Sequence, residues 1–147
     1  MKWTRSSLLS VGNVVVEQIV IDTNILVNAF RKDSDAHAKA YRLIADVYRG
    51  KYLVYVSDEI VDEYIEVLHR KRLRISPFRR FMWLLWIKRN GMFIEPKPTT
   101  QDEVEMRDED DRIFFDVAKC VGAKLVTRNY KHFPVHELVT LIDELYG

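Results

Sequence analysis

Two aspartates, Asp22 and Asp111, stand where a folded chain can turn acids toward one site, and a third acid is available on a helix between them. Asp22 closes the run Val14-Val15-Val16-Glu17-Gln18-Ile19-Val20-Ile21, which is dense in β-branched residues and reads as a buried strand. An aspartate in that position is partly desolvated and stays ionised only beside a cation or several N–H donors. The plainer reading is a helix cap, with Thr23 and Asn24 as turn residues. Asp111 opens a segment that, drawn at about 100° per residue, gathers Ile113, Phe114, Phe115, Val117, Ala118 and Val121 on one broad apolar face. Asp111 falls inside that face, whereas Arg112, Asp116 and Lys119 share the opposite side, expected to be solvated. Either Asp110 or Asp111 would satisfy the free N–H groups of the first turn, leaving the other to point inward. The third acid is less defined. Asp58, Glu59, Asp62, Glu63 and Glu66 all lie off the stripe of Ile60, Tyr64, Val67 and Leu68, and the helical wheel does not choose among them. Glu63 borders the stripe and lies deeper than Asp58 or Glu59.

Carboxylates gathered in this way need compensation. Two unit charges about 4 Å apart repel by roughly 4 kcal/mol at an effective dielectric near 20, so the cluster protonates, splays or binds a cation. Oxygen-only ligation selects hard ions, Mg²⁺ or Mn²⁺, and Mg²⁺ commonly takes its remaining ligands from water and phosphate. That is the chemistry of phosphodiester hydrolysis, in which the ion activates water and offsets charge on the phosphoryl group.

The elements that must position these acids alternate along the chain. A helix or tight turn follows through Ile25 to Phe30, and Ser34 can cap a second helix running to Arg49, with Gly50 past its end. Tyr52 to Val56 reads as a strand, and Ser57 caps a helix continuing through Arg70. Ser76-Pro77 starts another helix that stops at Asn90-Gly91, and Met92 to Glu95 reads as a short strand before the Pro96–Thr100 loop. Asp108 or Asp110 can cap the helix ending at Gly122, with strands expected at Lys124–Thr127 and Leu138–Leu141. This order implies a three-layer α/β/α sandwich around a central, mainly parallel sheet of four or five strands, whose ligands sit beyond the carboxyl ends of the strands.

At 147 residues, 48% hydrophobic and 31% charged, the chain fits one domain, taken as 1–147, and neither a disordered nor a fibrous class. Cys120, the single cysteine, excludes an internal disulfide and a thiolate-built zinc site and favours a reducing compartment. His37, His69, His132 and His136 lack metal-ligand spacing. The first residues are too short and polar an apolar stretch for a signal peptide or membrane span. The net charge of +1 conceals segregation: no acid occurs from Val67 to Ile94, while Asp102, Glu103, Glu105, Asp108, Glu109, Asp110 and Asp111 crowd the next segment. Each block alone is as readily a solvated face; together they suggest a basic surface for phosphates beside an acidic point for cations.

Four ordered blocks carry a family resemblance: Ile21-Asp22-Thr23-Asn24-Ile25-Leu26-Val27, Glu59-Ile60-Val61-Asp62-Glu63-Tyr64, Asp108-Glu109-Asp110-Asp111-Arg112, and Leu125-Val126-Thr127-Arg128-Asn129-Tyr130-Lys131-His132-Phe133. The chain resembles the PIN-domain nucleases, above all the VapC-like toxins of toxin–antitoxin systems. The resemblance implies a metal-dependent endoribonuclease, cytoplasmic, often a homodimer and often with an antitoxin partner. It assigns Asp22, Glu63 and Asp111 as the first three acids, with Asp110 an alternative for the third, and places Asn129 where many members have a fourth aspartate. Asparagine can ligate through its carbonyl or orient a water but lacks the charge, so one firmly held ion is expected and a second only with the RNA phosphate. Thr127 and Asn24 would orient the carboxylates.

Basic and aromatic residues alternate in Pro77–Arg89. Arg70, Lys71, Arg72, Arg79 and Arg80 suit RNA phosphates, with nearby aromatics as stacking platforms; equally, Phe81, Leu84, Leu85 and Trp86 suit a core or a subunit interface. Two alternatives remain: a metal phosphohydrolase acting on DNA or small phosphate esters, and a non-catalytic RNA- or partner-binding module, which the missing fourth aspartate would suit.

Overall fold

The β-branched run ahead of Asp22 forms the middle strand of the sheet. In the computed structural model, which describes residues 8–11 and 14–147, β2 (Val14–Ile21) lies between β3 (Tyr52–Val56) and β5 (Lys124–Thr127), parallel to both. β4 (Met92–Phe93) extends the sheet beyond β3 and β6 (Val139–Leu141) beyond β5, giving five parallel strands in the order β4-β3-β2-β5-β6. Ile19, Val20 and Ile21 are all fully buried, as a strand covered on both faces requires. β1 (Leu8–Val11) pairs antiparallel with the first half of β2, a strand that the polar interruptions near the start of the chain conceal. The short, polar start of the chain, where no signal peptide or membrane span is expected, includes residues 1–7, 12 and 13, which lie outside the described residues. Among the described residues no helix is long and apolar enough to cross a membrane.

Helices flank this sheet. α1 (Thr23–Phe30) starts directly after Asp22, α2 (His37–Tyr48) packs on α1 and β3, and α3 (Asp58–Leu68) packs on β3. Ser57 accepts a hydrogen bond from the Ile60 N–H, and Ser76 does the same for Arg79 at the start of α4 (Pro77–Asn90), so both expected caps form. Ser34 does not cap α2, which begins three residues later; its hydroxyl donates to Asn28 Oδ1 at 2.7 Å instead. The helix after Ser57 ends at Leu68, short of Arg70. α5 (Arg112–Val121) follows a 3₁₀ turn, Glu109–Asp111, capped by Asp108, and packs on β2, β3 and β5. Gly122, at φ +71°, takes the left-handed conformation that ends α5, and the Ala123 N–H closes the turn on the Ala118 carbonyl. The short α6 (Ile142–Leu145) follows β6.

Of the three residues on the side of α5 expected to be solvated, Lys119 is exposed but the other two are not. Arg112 and Asp116 are buried, at 8% and 7% exposure, because the loop after Pro96 folds over them. Arg112 donates to Thr99 Oγ1 at 2.8 Å, Gln101 Oε1 at 2.7 Å, the Val104 carbonyl at 2.8 Å and both Glu109 carboxylate oxygens. Asp116 in turn accepts from the Thr99 N–H and hydroxyl. A helical wheel cannot foresee a loop that supplies partners to charges on its far side. Arg112→Ala leaves Thr99 Oγ1, Gln101 Oε1 and the Thr100 and Val104 carbonyls without the guanidinium that donates to them and is expected to cost on the order of 3 kcal/mol, read from urea denaturation.

Candidate active site

Register places the first acid. Ile21 pairs with Val126 across the β2–β5 ladder, and the Asp22 N–H continues it by donating to the Val126 carbonyl at 3.0 Å. Asp22 and Thr127 therefore emerge side by side at the carboxyl edge, where strand order reverses about β2 and ligands collect in parallel sheets. Asp22 is 3% exposed, and burial raises its carboxyl above the usual range. Opposing that rise are a 2.8 Å hydrogen bond from Thr127 Oγ1, the nearby His132, and the backbone N–H groups of Asn24 and Thr23. Thr127 itself is fully buried and also accepts from the Asn129 N–H at 3.2 Å. Thr127→Val removes this side-chain donor to Asp22. On the sequence-based expectation that Asp22 ligates a metal in a nuclease, the variant is expected to cleave about tenfold more slowly, near the small end of losses from outer partners of metal ligands, with the folded state retained by circular dichroism.

The second and third acids arrive from helices. Tyr64 is fully buried and its hydroxyl donates to the Ile21 carbonyl, tying α3 to the last residue of β2 before Asp22. The preceding residue, Glu63, is thereby held at the cleft, half-buried, with its carboxyl raised by desolvation and by Glu66. Asp111 ends the 3₁₀ turn ahead of α5. Its carboxyl is pushed up to about 7, first by desolvation and then by the charge of Asp22. Asp110 is exposed and also lines the cleft, so both candidates for the third acid reach it.

The cleft holds about 560 Å³ and brings together Asp22, Glu63, Asp110, Asp111, Asn24 and Asn129. Asn129 uses its Oδ1 to accept from the Lys131 N–H, which leaves its amide NH₂ as the group available toward the cleft. Asn24 acts on Asp22 through its backbone N–H, and its side chain is exposed. Of the five cations expected to meet RNA, Arg70 reaches the cleft while also pairing with Glu66 at 2.8 Å. Lys71 and Arg72 are exposed on the following turn, Arg80 donates to the Ile75 carbonyl, and Arg79 lines a separate apolar groove with Tyr41, Tyr48, Phe78 and Met82. Trp83 is the large aromatic of α4 that enters the core, while Phe81 is 60% exposed and Leu84, Leu85 and Trp86 are half-buried.

His132, Lys131 and Arg107 line the cleft without having been singled out from sequence. His132 Nδ1 lies 4.0 Å from Asp111 Oδ2. Its only sequence signal was membership of the block that begins at Leu125. Among the described residues no three His, Cys, Asp or Glu side chains are already drawn together tightly enough to hold an ion. The donor set nevertheless suits a hard divalent cation, because carboxylate oxygens dominate it and the charge repulsion that raises Asp111 is what a cation relieves.

The signature of a family described as PIN domain matches residues 18–131. No curated protein matches the chain. Among solved structures, a chain in the crystal structure of VapBC2 from Rickettsia felis bound to a DNA fragment from their promoter is similar. It is 18% identical, with 84% of this chain and 96% of that chain covered and a TM-score of 0.52, a likeness of fold. A chain of FitAcB from Neisseria gonorrhoeae, 12% identical, covers 78% of this chain and 90% of its own at a TM-score of 0.49.

Proposed function

The chain belongs to the PIN-domain family of nucleases, and on that footing we propose that it is a metal-dependent endoribonuclease that hydrolyses RNA phosphodiester bonds, acting as the toxin of a toxin–antitoxin pair. PIN nucleases use divalent cations, and Mg²⁺ or Mn²⁺ is the proposed ion here. The observation that carries this reading is the pair Asp22 and Asp111, facing one cleft with both carboxyls raised by burial and Asp111 raised further by Asp22. Two acids so placed are costly to the fold and are repaid by a bound cation.

Asp22, Glu63 and Asp111 would hold the ion, with Asp110 the alternative third ligand, and Thr127 keeps Asp22 aimed by donating to its Oδ2. When bound, the cation lowers the pKa of water and offsets charge on the phosphoryl oxygens. Asn129, with its NH₂ free to donate, orients the water or a phosphate oxygen rather than supplying a fourth charge. Arg70, Arg107 and Lys131 border the cleft and draw the RNA backbone to it, with Lys71, Arg72, Arg79 and Arg80 extending the cationic path. Exposed Phe78, Phe81 and Met82 on α4 supply an apolar surface for the proposed homodimer and antitoxin contacts. The proposed location is the cytoplasm.

The test is incubation of the purified chain with total RNA, with Mn²⁺, with Mg²⁺ and with chelator, followed by mapping of cut ends. Metal-dependent cuts that vanish in Asp22→Asn support the reading. Cuts no more frequent than in that variant overturn it.

A further inference from the structure

The turn after α3 gathers four cations in five residues, Arg70-Lys71-Arg72-Leu73-Arg74. Arg70 pairs with Glu66 at 2.8 Å. Lys71, Arg72 and Arg74 are exposed, and no hydrogen bond or ion pair ties their side chains to another described residue. Like charges crowded in this way repel one another, and nothing within the fold offsets them. Arg74 carries a second cost. Its φ of +51° and ψ of +41° lie in the left-handed region, where the Cβ of an ordinary residue crowds the following carbonyl. Among the described residues it is the only non-glycine with a positive φ; Gly50 and Gly122 take the other two such positions. Packing accounts for the conformation. Lys71–Leu73 form a 3₁₀ turn that the Arg74 N–H closes on the Lys71 carbonyl at 3.2 Å. Leu73 packs on the core before Arg74, and Ile75, 5% exposed, enters it afterwards, so the backbone must reverse between them. Packing does not account for the arginine, because its side chain is exposed and glycine adopts the same backbone without strain. A strained residue retained where another would serve the fold better points to a task outside the fold.

Position indicates the task. Arg70, the first residue of the run, lines the carboxylate cleft, so the turn carries the rim of the cleft outward. No large apolar side chain is exposed between Arg70 and Arg74. The turn therefore offers charge without the apolar anchor on which a protein partner would depend, a surface suited to phosphates. We infer that Arg74, with Lys71 and Arg72, docks the RNA backbone where it leaves the cleft past Arg70, and that the arginine is held in a strained conformation for this contact. The inference rests on the endoribonuclease reading for the identity of the strand, but not for binding itself. Both costs named above fall when a phosphate arrives: the crowded charges are offset, and the strained residue gains a partner.

The full chain, in chelator so that no strand is cut, is titrated into a labelled single-stranded RNA oligonucleotide at several salt concentrations. Arg74→Gly is expected to weaken binding about fivefold to tenfold and to flatten the dependence of log K on log salt by about 0.7, the share of one phosphate contact on a single strand. The same variant is expected to melt about 1–3 °C higher, because the strain is gone. Arg74→Lys keeps both the charge and the strain, and is expected to retain most of the affinity at an unchanged Tm. Unaltered affinity and slope in Arg74→Gly overturn the docking point even where RNA is cut. A lower Tm in that variant overturns it as well, by making the arginine a structural part of the turn, and Arg74→Lys binding as weakly as Arg74→Gly overturns charge as the cause. Tighter binding of a DNA duplex than of RNA, lost in the same variant, overturns RNA as the occupant. A loss of RNA binding by Arg74→Gly in a chain that cuts no RNA upholds the docking point and defeats the nuclease reading instead.

Discussion

Asp22→Asn is expected to reduce RNA cleavage by more than about 100-fold, the upper end of what losing a mere outer partner of a metal ligand costs, and at the same time to stabilise the metal-free chain. The two effects have one cause. Asp22 is buried with its carboxyl raised, so above that raised value the fold carries a desolvated charge that the unfolded chain keeps in water. Asparagine keeps the shape and an oxygen that can accept from Thr127, but brings no charge. Melting at pH 8 in chelator should show a higher midpoint for the variant, and kcat/KM with Mn²⁺ should show the loss. A variant that is both less stable and as active as the parent would remove Asp22 from the chemistry.

The second large effect is the opposed action of protons and cations on stability. Asp111 rises from 3.8 to about 7 in the folded, metal-free chain. Its folded form therefore holds a proton through a window where the unfolded chain has released it, and stability must fall as pH climbs. Lowering the pH from about 7 toward 3.8 should raise the contribution of this group, and Asp22 and Glu63, also raised, act in the same direction. Mn²⁺ reverses the dependence by taking the deprotonated form. With the ion at about 100 times its Kd, Tm at pH 8 should rise by about 5–10 °C, and the rise should fade at pH 5, where protons compete. Asp111→Asn should flatten both responses. A Tm rise equal at pH 5 and pH 8 would show the ion binding elsewhere.

Local patterns made Asp22 and Asp111 legible, and the reason is the same for both: each acid interrupts an apolar surface, one at the end of a strand and one at the head of a helix. The parallel α/β order was equally legible, since each expected strand of the main sheet forms where its apolar run lies. Glu63 was not separable from its neighbours because the contact that selects it, Tyr64 to the Ile21 carbonyl, joins residues 43 positions apart. Ser34 suited a cap by type, but the loop delivers it to Asn28, nine-tenths buried on another helix. Arg112 and Asp116 misled for a similar reason, as their partners come from the loop at Thr99 to Val104. His132 entered through the 3₁₀ turn Tyr130–His132 rather than through any ligand spacing.

The hydroxyl of Tyr64 joins the residue after Glu63 to the residue before Asp22, and so acts as a gauge between the two carboxylates. Hard cations differ chiefly in radius and in how rigid a cage they demand, Mg²⁺ wanting about 2.0–2.1 Å to each oxygen and Ca²⁺ accepting about 2.3–2.6 Å. On the proposed reading, the choice between a small and a large ion falls to a side chain that touches neither carboxylate, and Tyr64→Phe is expected to loosen the spacing of Asp22 and Glu63 without removing either.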